Sequence, residues 1–457
     1  MTEGQEPLRV AIVGAGPAGF YAADALLRGG ARVDLFEHLP APFGLLRYGV
    51  APDHQNIKRA GAAFERTAKH PDFRYFGNVA VGTCLSIDEL RSDYDQVLVA
   101  IGAAGDKKLG IAGEDLVGSV AATAFVGWYN GHPDFAHERF DLSSPRAVIV
   151  GLGNVAMDVA RILVKAPSAF ADTDIAHDAL DVLQTSRVRE VVLLGRRGPA
   201  QAAFDQGELA DIEALDGVEV VIEGAVFETP EADLPVGAKR NLEYLASLPR
   251  EPSGTAERLV RVRFCAAPHR ILGDEGRVRA LEIEQTELSQ RPDGSITARG
   301  TGRYETIDTG LVVRSIGYQA RALDGLPFDA AHSVIPNFHG RVGQAGEALP
   351  GCYVVGWIKR GPVGLLGSNK QDAKETVDAM LADREHAIAS RSARRPGRVL
   401  ELLRERQVRV VTYTEWLEID EVERALGAKT GKIREKLVNV DAMLAVLGAA
   451  HVSPTAG

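Results

Sequence analysis

The chain has 457 residues, 45% of them hydrophobic and 25% charged, which is enough for two or more domains with cores of their own. A formal net charge of -10 argues against nucleic acid as a partner, because that binding is dominated by cationic contact to phosphate. No uncharged apolar run reaches the ~18 residues of a membrane helix, and the acid-bearing start "MTEGQEPLRV" lacks the pattern of a secretory signal, so a cytoplasmic protein without a membrane anchor is expected.

Residues 8–37, "LRVAIVGAGPAGFYAADALLRGGARVDLFE", spell strand, glycine turn, helix, strand. Val10 to Val13 give a buried β-branched run. Phe20, Ala23 and Leu27 fall at helical spacing before Gly29 and Gly30 stop the helix. Within this frame, Gly14-x-Gly16-x-x-Gly19 divides three tasks: Gly14 for the tight turn, Gly16 for close approach of a pyrophosphate, Gly19 for packing helix on sheet. The helix N-terminus then offers free N–H groups to the phosphates. Glu37, closing the second strand, is placed to accept hydrogen bonds from a ribose.

Farther along, the three cysteines, Cys84, Cys265 and Cys352, form no C-x-x-C. They are expected as small buried hydrophobes, and no metal or cluster site is expected from them.

A second unit opens at "PRAVIVGLGNVAMDVARILVK", with strand Ala147 to Val150, the turn Gly151-x-Gly153-x-x-Ala156 and the helical stripe Val155, Val159 and Ile162. The polar stretch "SAFADTDIAHDALDVLQTSRVRE", expected on the surface, delays the next strand, Val191 to Leu194. Arg196 and Arg197 follow that strand, where a ribose is read, although farther beyond the glycine turn than the roughly 20 residues usual. An acid there would repel a 2'-phosphate, whereas arginine binds one through a bidentate fork. The pair therefore predicts NADP(H) rather than NAD(H). The first fold then needs a different dinucleotide that can exchange hydride with it, and FAD is the natural candidate.

"QVLVAIGA" at 96–103 and "LVVRSIGY" at 311–318 are similar strand-then-glycine segments and look like crossings between domains. The expected organisation is α/β with two Rossmann-like dinucleotide-binding domains. Residues 1–105 and 321–457 form the FAD domain with a C-terminal helical extension, and residues 106–320 form an inserted NADP domain. In the returning piece, strand Cys352 to Val355 runs into Gly356 and Trp357, then Gly361, Gly364 and Gly367. Ser368-x-x-Gln371 fits a capping box ahead of the stripe Ala373, Val377, Met380 and Leu381. Trp357 could lie against a flat ring system.

The motifs "VGAGPAGFYAA", "LPAPFGLLRYGVAPDHQNIK", "VGLGNVAMDVARIL", "GRRGPAQAAF", "VVGWIKRGPVGLLGSNKQDA" and "TEWLEIDEVERALG" occur in this order and span nearly the whole chain. Together they resemble the adrenodoxin reductase family, specifically its bacterial ferredoxin-NADP reductase members. The stretch "PAPFGLLRYGVAPDH" is what separates that family from other two-dinucleotide flavoproteins. The resemblance implies FAD contacts at Gly14, Gly16, Ala18, Gly19, Glu37, Leu45, Val81, Trp357, Gly364, Leu365 and Leu366. It implies NADP contacts at Leu152, Gly153, Asn154, Val155, Arg196, Arg197, Glu208 and Gly364. Lys107 stands where relatives can have arginine, so it offers a phosphate charge without a fork. His54 matches a histidine near the flavin, and Asp211 falls where some relatives have a glutamate thought to work with it; together they are the candidate catalytic or tuning pair.

The implied activity is hydride transfer from NADPH to FAD, followed by single-electron transfer to a ferredoxin-type iron-sulfur protein. The chain is expected to work as a monomer. Since ferredoxins are usually acidic and this chain is acidic too, docking would need a local basic patch. Candidates are Arg47, Lys58 and Arg59; Lys239 and Arg240; or Arg391, Arg394, Arg395 and Arg398. Two alternatives stand beside this reading: a non-catalytic FAD- and NADP-binding sensor, and a glutamate synthase small-subunit-like reductase. The latter normally carries N-terminal cysteines, and this chain has none before Cys84.

Overall fold

The computed structural model describes residues 7–224, 234–344, 347–364, 366–390 and 394–448. These divide into two compact units: Met1–Gly105 with Asn130–Pro133 and Tyr318–Gly457, and Asp106–Tyr129 with Asp134–Gly317.

The first unit is built on a seven-stranded sheet in the order Asn337–Phe338, Arg341–Gln344, Glu347–Val354, Gln96–Val99, Arg9–Val13, Arg32–Phe36, Phe73–Phe76. Its last five strands run parallel, with Val13 beside Phe36 on one side and Val99 on the other. Both faces of such a sheet are covered, which is why "RVAIV" and "QVLV" read as unbroken apolar runs. The helix Pro17–Arg28 begins with proline, whose missing N–H costs nothing there, and ends at Gly29. It packs against the helix Ser368–Ala382, whose Ala373, Val377 and Met380 are buried. The expected capping box at Ser368 does not form. The cap is Gly367 and Ser368 is the first helical residue, because its hydroxyl is turned back to accept a hydrogen bond from Arg360 at 3.3 Å.

At the C-terminal end, the helix Tyr413–Ala428 starts with a true capping box, Thr412 with Glu415, and carries Glu423 into the core. There Arg47 Nη2 donates to Glu423 Oε1 at 2.6 Å, and the Arg47 guanidinium lies within 5.0 Å of the Tyr48 ring centroid and 4.9 Å of that of Trp416. Burial alone would lower the Arg47 pKa, but the Glu423 carboxylate overrides it and holds the guanidinium charged. Lys436 Nζ ties the same place to the short segment Asn130–Pro133, donating to Arg47 O at 3.1 Å and to Asn130 O at 2.9 Å.

The second unit holds an all-parallel six-stranded sheet, ordered Ser119–Ala121, Leu311–Arg314, Arg146–Val150, Glu190–Leu194, Arg258–Arg263, Val218–Glu223. A three-stranded antiparallel sheet, Ala266–Asp274, Arg277–Gln290 and Ile296–Asp308, completes it. The polar stretch after the helix Asn154–Val164 is not a surface insertion, contrary to expectation. Phe170, Ile175, Ala179 and Leu183 are buried, and the helix His177–Gln184 packs against Ala122–Tyr129, with Ala176 N donating to Tyr129 O at 2.9 Å. Asp172, Asp178 and Asp181 are exposed and mask that apolar side in the composition, whereas Asp174 is buried with it.

Removing one member of a buried ion pair leaves an uncompensated charge, at a cost of about 3–5 kcal/mol. Glu423→Ala is therefore expected to lower the unfolding free energy by about 3 kcal/mol, read as an earlier chemical denaturation midpoint. A midpoint within error of the parent would show that the pair contributes nothing net.

Candidate functional site

In the first unit the strand Arg9–Val13 ends in Gly14, at φ 108°, where an added Cβ would lie 2.6 Å from Ala100 O. Only glycine allows the chain to turn so close beneath the next strand. At Gly16 an added Cβ would meet nothing within 4 Å, so the turn opens outward at the start of the helix. Glu37 does more than close a strand. Buried, its Oε2 accepts from Ala15 N at 2.7 Å and its Oε1 from Leu39 N at 3.3 Å, fixing the glycine turn to the second strand. Burial works to raise its pKa, but the charge and hydrogen bond of His38, 2.5 Å away, and the two backbone donors outweigh it and hold the carboxylate below its ordinary value.

Ala18 lies against Gly356, whose added Cβ would approach it to 2.8 Å, so the helix start and the Gly356–Trp357 turn share one place. Trp357 is half-buried beside Tyr318 at 5.0 Å between ring centroids, and its buried Nε1–H has no hydrogen-bond partner among the described residues. Asp372, which sequence reasoning missed, holds this turn: it accepts from Gly356 N at 2.6 Å and pairs with buried Lys359 at 2.8 Å. The segment after Leu39 joins the same place, as Phe43 N donates to Ala15 O at 2.9 Å and an added Cβ at Gly44 would lie 2.8 Å from Gly16 Cα. Leu45 is exposed there, Val81 and Leu366 are half-buried, and Gly364 is exposed at φ 90°. Leu365 lies outside the described residues. His54 is half-buried at the cap of the short helix Gln55–Lys58.

The second unit repeats the turn. Gly151, at φ 128°, turns under Ser315 O, and Gly153 opens onto space with nothing within 4 Å of an added Cβ. The helix Asn154–Val164 starts immediately, with Asn154 and Val155 half-buried; Asn154 Oδ1 accepts from Asp205 N at 2.8 Å and Leu152 O from Ala203 N at 2.9 Å. After the strand Glu190–Leu194, the side chains of Arg196 and Arg197 are exposed, and neither has an acidic partner among the described residues. Lys107 is also exposed, its N–H donating to Gly317 O at 3.1 Å.

Glu208 and Asp211 share the helix Gln206–Glu213, Glu208 half-buried and Asp211 exposed. Buried Arg161 reaches Glu208 at 3.3 Å and Asp158 at 2.6 Å. Burial pushes the Glu208 carboxyl up to about 7, with Asp158 adding to the rise, Arg161 opposing it and Asp211 adding a smaller part.

The basic candidates sort by burial and pairing. Arg47 is buried and cannot dock a partner. Arg394 is paired with buried Asp95 and Arg398 with Glu401 and Glu405, so that run is largely neutralised; Arg391 lies outside the described residues. Arg59, after the short helix Gln55–Lys58, is exposed, as are Arg66 in the helix Gly61–Ala68 and Lys69 at its C-cap, none with an ion-pair partner among the described residues. Lys239 and Lys58 are half-buried, whereas Arg240 and Arg395 are exposed. Of the cysteines only Cys352 is fully buried; Cys84 and Cys265 are half-buried, and all three are unbridged.

Residues 8–206 match the pyridine nucleotide-disulphide oxidoreductase family, so the class is a nucleotide-dependent oxidoreductase. The chain is 44% identical to NADPH-ferredoxin reductase FprA of Mycobacterium tuberculosis, covering 96% of this chain and 99% of that one. It is 41% identical to mitochondrial NADPH:adrenodoxin oxidoreductase of Arabidopsis thaliana, over 96% and 95% of the two chains. The structure of M. tuberculosis FprA in complex with NADPH superposes with a TM-score of 0.90 at 43% identity, over 97% of this chain and all of that one. The protein belongs to the FprA and adrenodoxin oxidoreductase family of NADPH-ferredoxin reductases. Two Rossmann-like folds are the architecture of this family, and among the described residues no helix is long and apolar enough to cross a membrane.

A raised acid pKa means that the folded state keeps its proton after the unfolded chain has lost it. Glu208 therefore adds stability that is complete below pH 4.5, its ordinary value, and is lost as pH rises to about 7. Thermal melts of Glu208→Gln are expected to lack this loss. The parent should fall relative to the variant between those two values, and parallel curves would refute the assignment.

Proposed function

We propose that the protein is an FAD-dependent ferredoxin-NADP(+) reductase that takes hydride from NADPH and delivers single electrons to a ferredoxin-type iron-sulfur protein. The observation that carries the reading is the contrast at equivalent strand ends: a buried carboxylate, Glu37, in one unit and two exposed guanidiniums, Arg196 and Arg197, in the other. A carboxylate suits ribose hydroxyls and arginine suits a 2'-phosphate. The names of the relatives support it, as does a probable ferredoxin/ferredoxin-NADP reductase of Mycobacterium leprae, 42% identical, of which this chain spans 79%.

In this reading residues 1–105 and 321–457 hold FAD, and residues 106–320 hold NADP(H). The donor set fits. Each glycine turn opens onto space at a helix N-terminus, and the orphaned Trp357 N–H gives a buried donor where a flavin's polar edge would be met. The FAD contacts are Gly14, Gly16, Ala18, Gly19, Glu37, Leu45, Val81, Trp357, Gly364, Leu365 and Leu366. The NADP contacts are Lys107, Leu152, Gly153, Asn154, Val155, Arg196, Arg197, Glu208 and Gly364. When bound, the cofactors supply the hydride and electron chemistry. The chain's own part is orientation: Glu37 and Asp372 immobilise the two flavin-facing turns, and Glu208 offers a carboxyl that can hold or release a proton near neutrality. His54 and Asp211 act by positioning or tuning. The protein works in the cytoplasm as a monomer.

Purified protein should carry a yellow flavin that NADPH bleaches rapidly, and should reduce cytochrome c only when ferredoxin is added. Failure to pass electrons would favour the sensor alternative. Each charge-assisted contact to phosphate contributes about 1.5–3 kcal/mol, so Arg196→Ala with Arg197→Ala is expected to raise the KM for NADPH about 100-fold and to leave that for NADH nearly unchanged. An equal change for both coenzymes would remove the 2'-phosphate assignment. Ferredoxin-dependent turnover is further expected to drop steeply with added salt while turnover with a neutral dye does not. Identical salt profiles would exclude docking through local charge.

A further inference from the structure

The loop carrying Arg196 and Arg197 is anchored from behind at three successive carbonyls. Gly195 O accepts from Ala266 N at 3.0 Å, Arg197 O from Cys265 N at 3.1 Å, and between them Arg196 O accepts from the hydroxyl of Thr286 at 2.7 Å. The return bonds close the frame, with Gly195 N donating to Arg263 O at 2.8 Å and Thr286 N to Cys265 O at 2.8 Å.

Two irregularities of the backbone build this frame. Cys265 sits at φ 53°, in the left-handed region that residues with a side chain seldom occupy, and this conformation accompanies the aim of its N–H at Arg197 O. The strand Arg277–Gln290 alternates with Leu281 and Ile283 inward, which would place Gln285 inward next and Thr286 in solvent. Its pairing with Ile296–Asp308 slips between Glu284 and Thr286, and after the slip Gln285 is exposed and Thr286 is buried at 7% exposure. Such slips re-aim side chains beside functional sites. Here the slip delivers a hydroxyl, in a strand otherwise packing aliphatic groups, to the carbonyl of one coenzyme-reading arginine.

We propose that Thr286 is a positioning residue for coenzyme specificity: its hydroxyl, delivered by the slip in the antiparallel sheet, holds the Arg196–Arg197 backbone in the form that receives a 2'-phosphate. This rests on the phosphate reading of the two arginines given above. Arginine loses much rotamer freedom on binding, and a fixed backbone limits what remains to be ordered. Without the clamp that ordering falls on the binding step for NADPH and not on binding of NADH, which lacks the phosphate.

The test is steady-state kinetics of the flavin-loaded enzyme with a small artificial electron acceptor. Thr286→Val keeps the shape and removes the donor; it is expected to raise the KM for NADPH about 5-fold, the equivalent of one modest hydrogen bond, with kcat within about twofold and the NADH KM unchanged. Thr286→Ser is expected to restore the parent values, which a purely packing role would not do. Should Thr286→Val not fold, Thr286→Ala is read in the same way. An unchanged NADPH KM, or equal rises for NADPH and NADH, overturns the clamp. The Arg196→Ala, Arg197→Ala double variant separates the two ideas. If it too fails to distinguish the coenzymes, the phosphate reading is lost; if it distinguishes them and Thr286→Val does not, only the clamp is lost.

Discussion

Both units depend on one steric constraint, the passage of a glycine beneath a neighbouring strand. Gly14 under Ala100 O and Gly151 under Ser315 O bring a strand end and a helix start together so closely that no side chain fits. The result in each case is a helix whose free N–H groups stand at the carboxyl edge of a parallel sheet, with Gly16 or Gly153 bare beside them. Packing gives each unit the same edge, so a difference in what the two edges receive has to come from what the next strand end supplies, Glu37 in one unit and Arg196 with Arg197 in the other.

Turns that face outward have few contacts of their own and must be held from the inside. Three are held in this way by quite different chemistry. A carboxylate, Glu37, grips the first glycine turn through Ala15 N; Asp372 grips the Gly356–Trp357 turn through Gly356 N; and a neutral hydroxyl, Thr286, with the N–H of Cys265 grips the arginine loop. The choice fits the charge of what each turn carries. A carboxylate behind the arginine loop would pair with the guanidiniums itself, whereas a hydroxyl fixes the backbone and leaves both cations exposed and open to an anion.

What was legible in the sequence was local. The glycine turns, their helices, Glu37 and the arginine pair all lie within segments short enough for periodicity and motif spacing to be read directly. The holding groups other than Glu37 were not legible, because each is defined by a partner outside its own motif: Asp372 is 16 residues from Gly356, Thr286 is 90 from Arg196, and Glu423 is 376 from Arg47. The misreadings have physical causes of the same kind. The polar stretch after residue 167 looked exposed because its acids are interleaved with the Phe170, Ile175 and Leu183 that it buries, and Ser368 looked like a cap because a motif does not show that Arg360 donates to its hydroxyl.

The net charge of -10 describes the chain poorly as a partner, since its cations are sorted by position. Arg47, Arg161 and Lys359 are buried and each is bound to acids, where a charge in low dielectric persists only when paired. They hold elements together and project no field toward solvent. The cations that can act at a distance are those left unpaired at the surface, among them Arg196 and Arg197 in one unit and Arg59, Arg66 and Lys69 in the other. Within a Debye length of about 8 Å it is such local groups, not the sum over the chain, that set the potential an approaching anion meets. An acidic protein can therefore take up an anionic coenzyme and an acidic partner, provided that the intervening acids are spent on internal pairs.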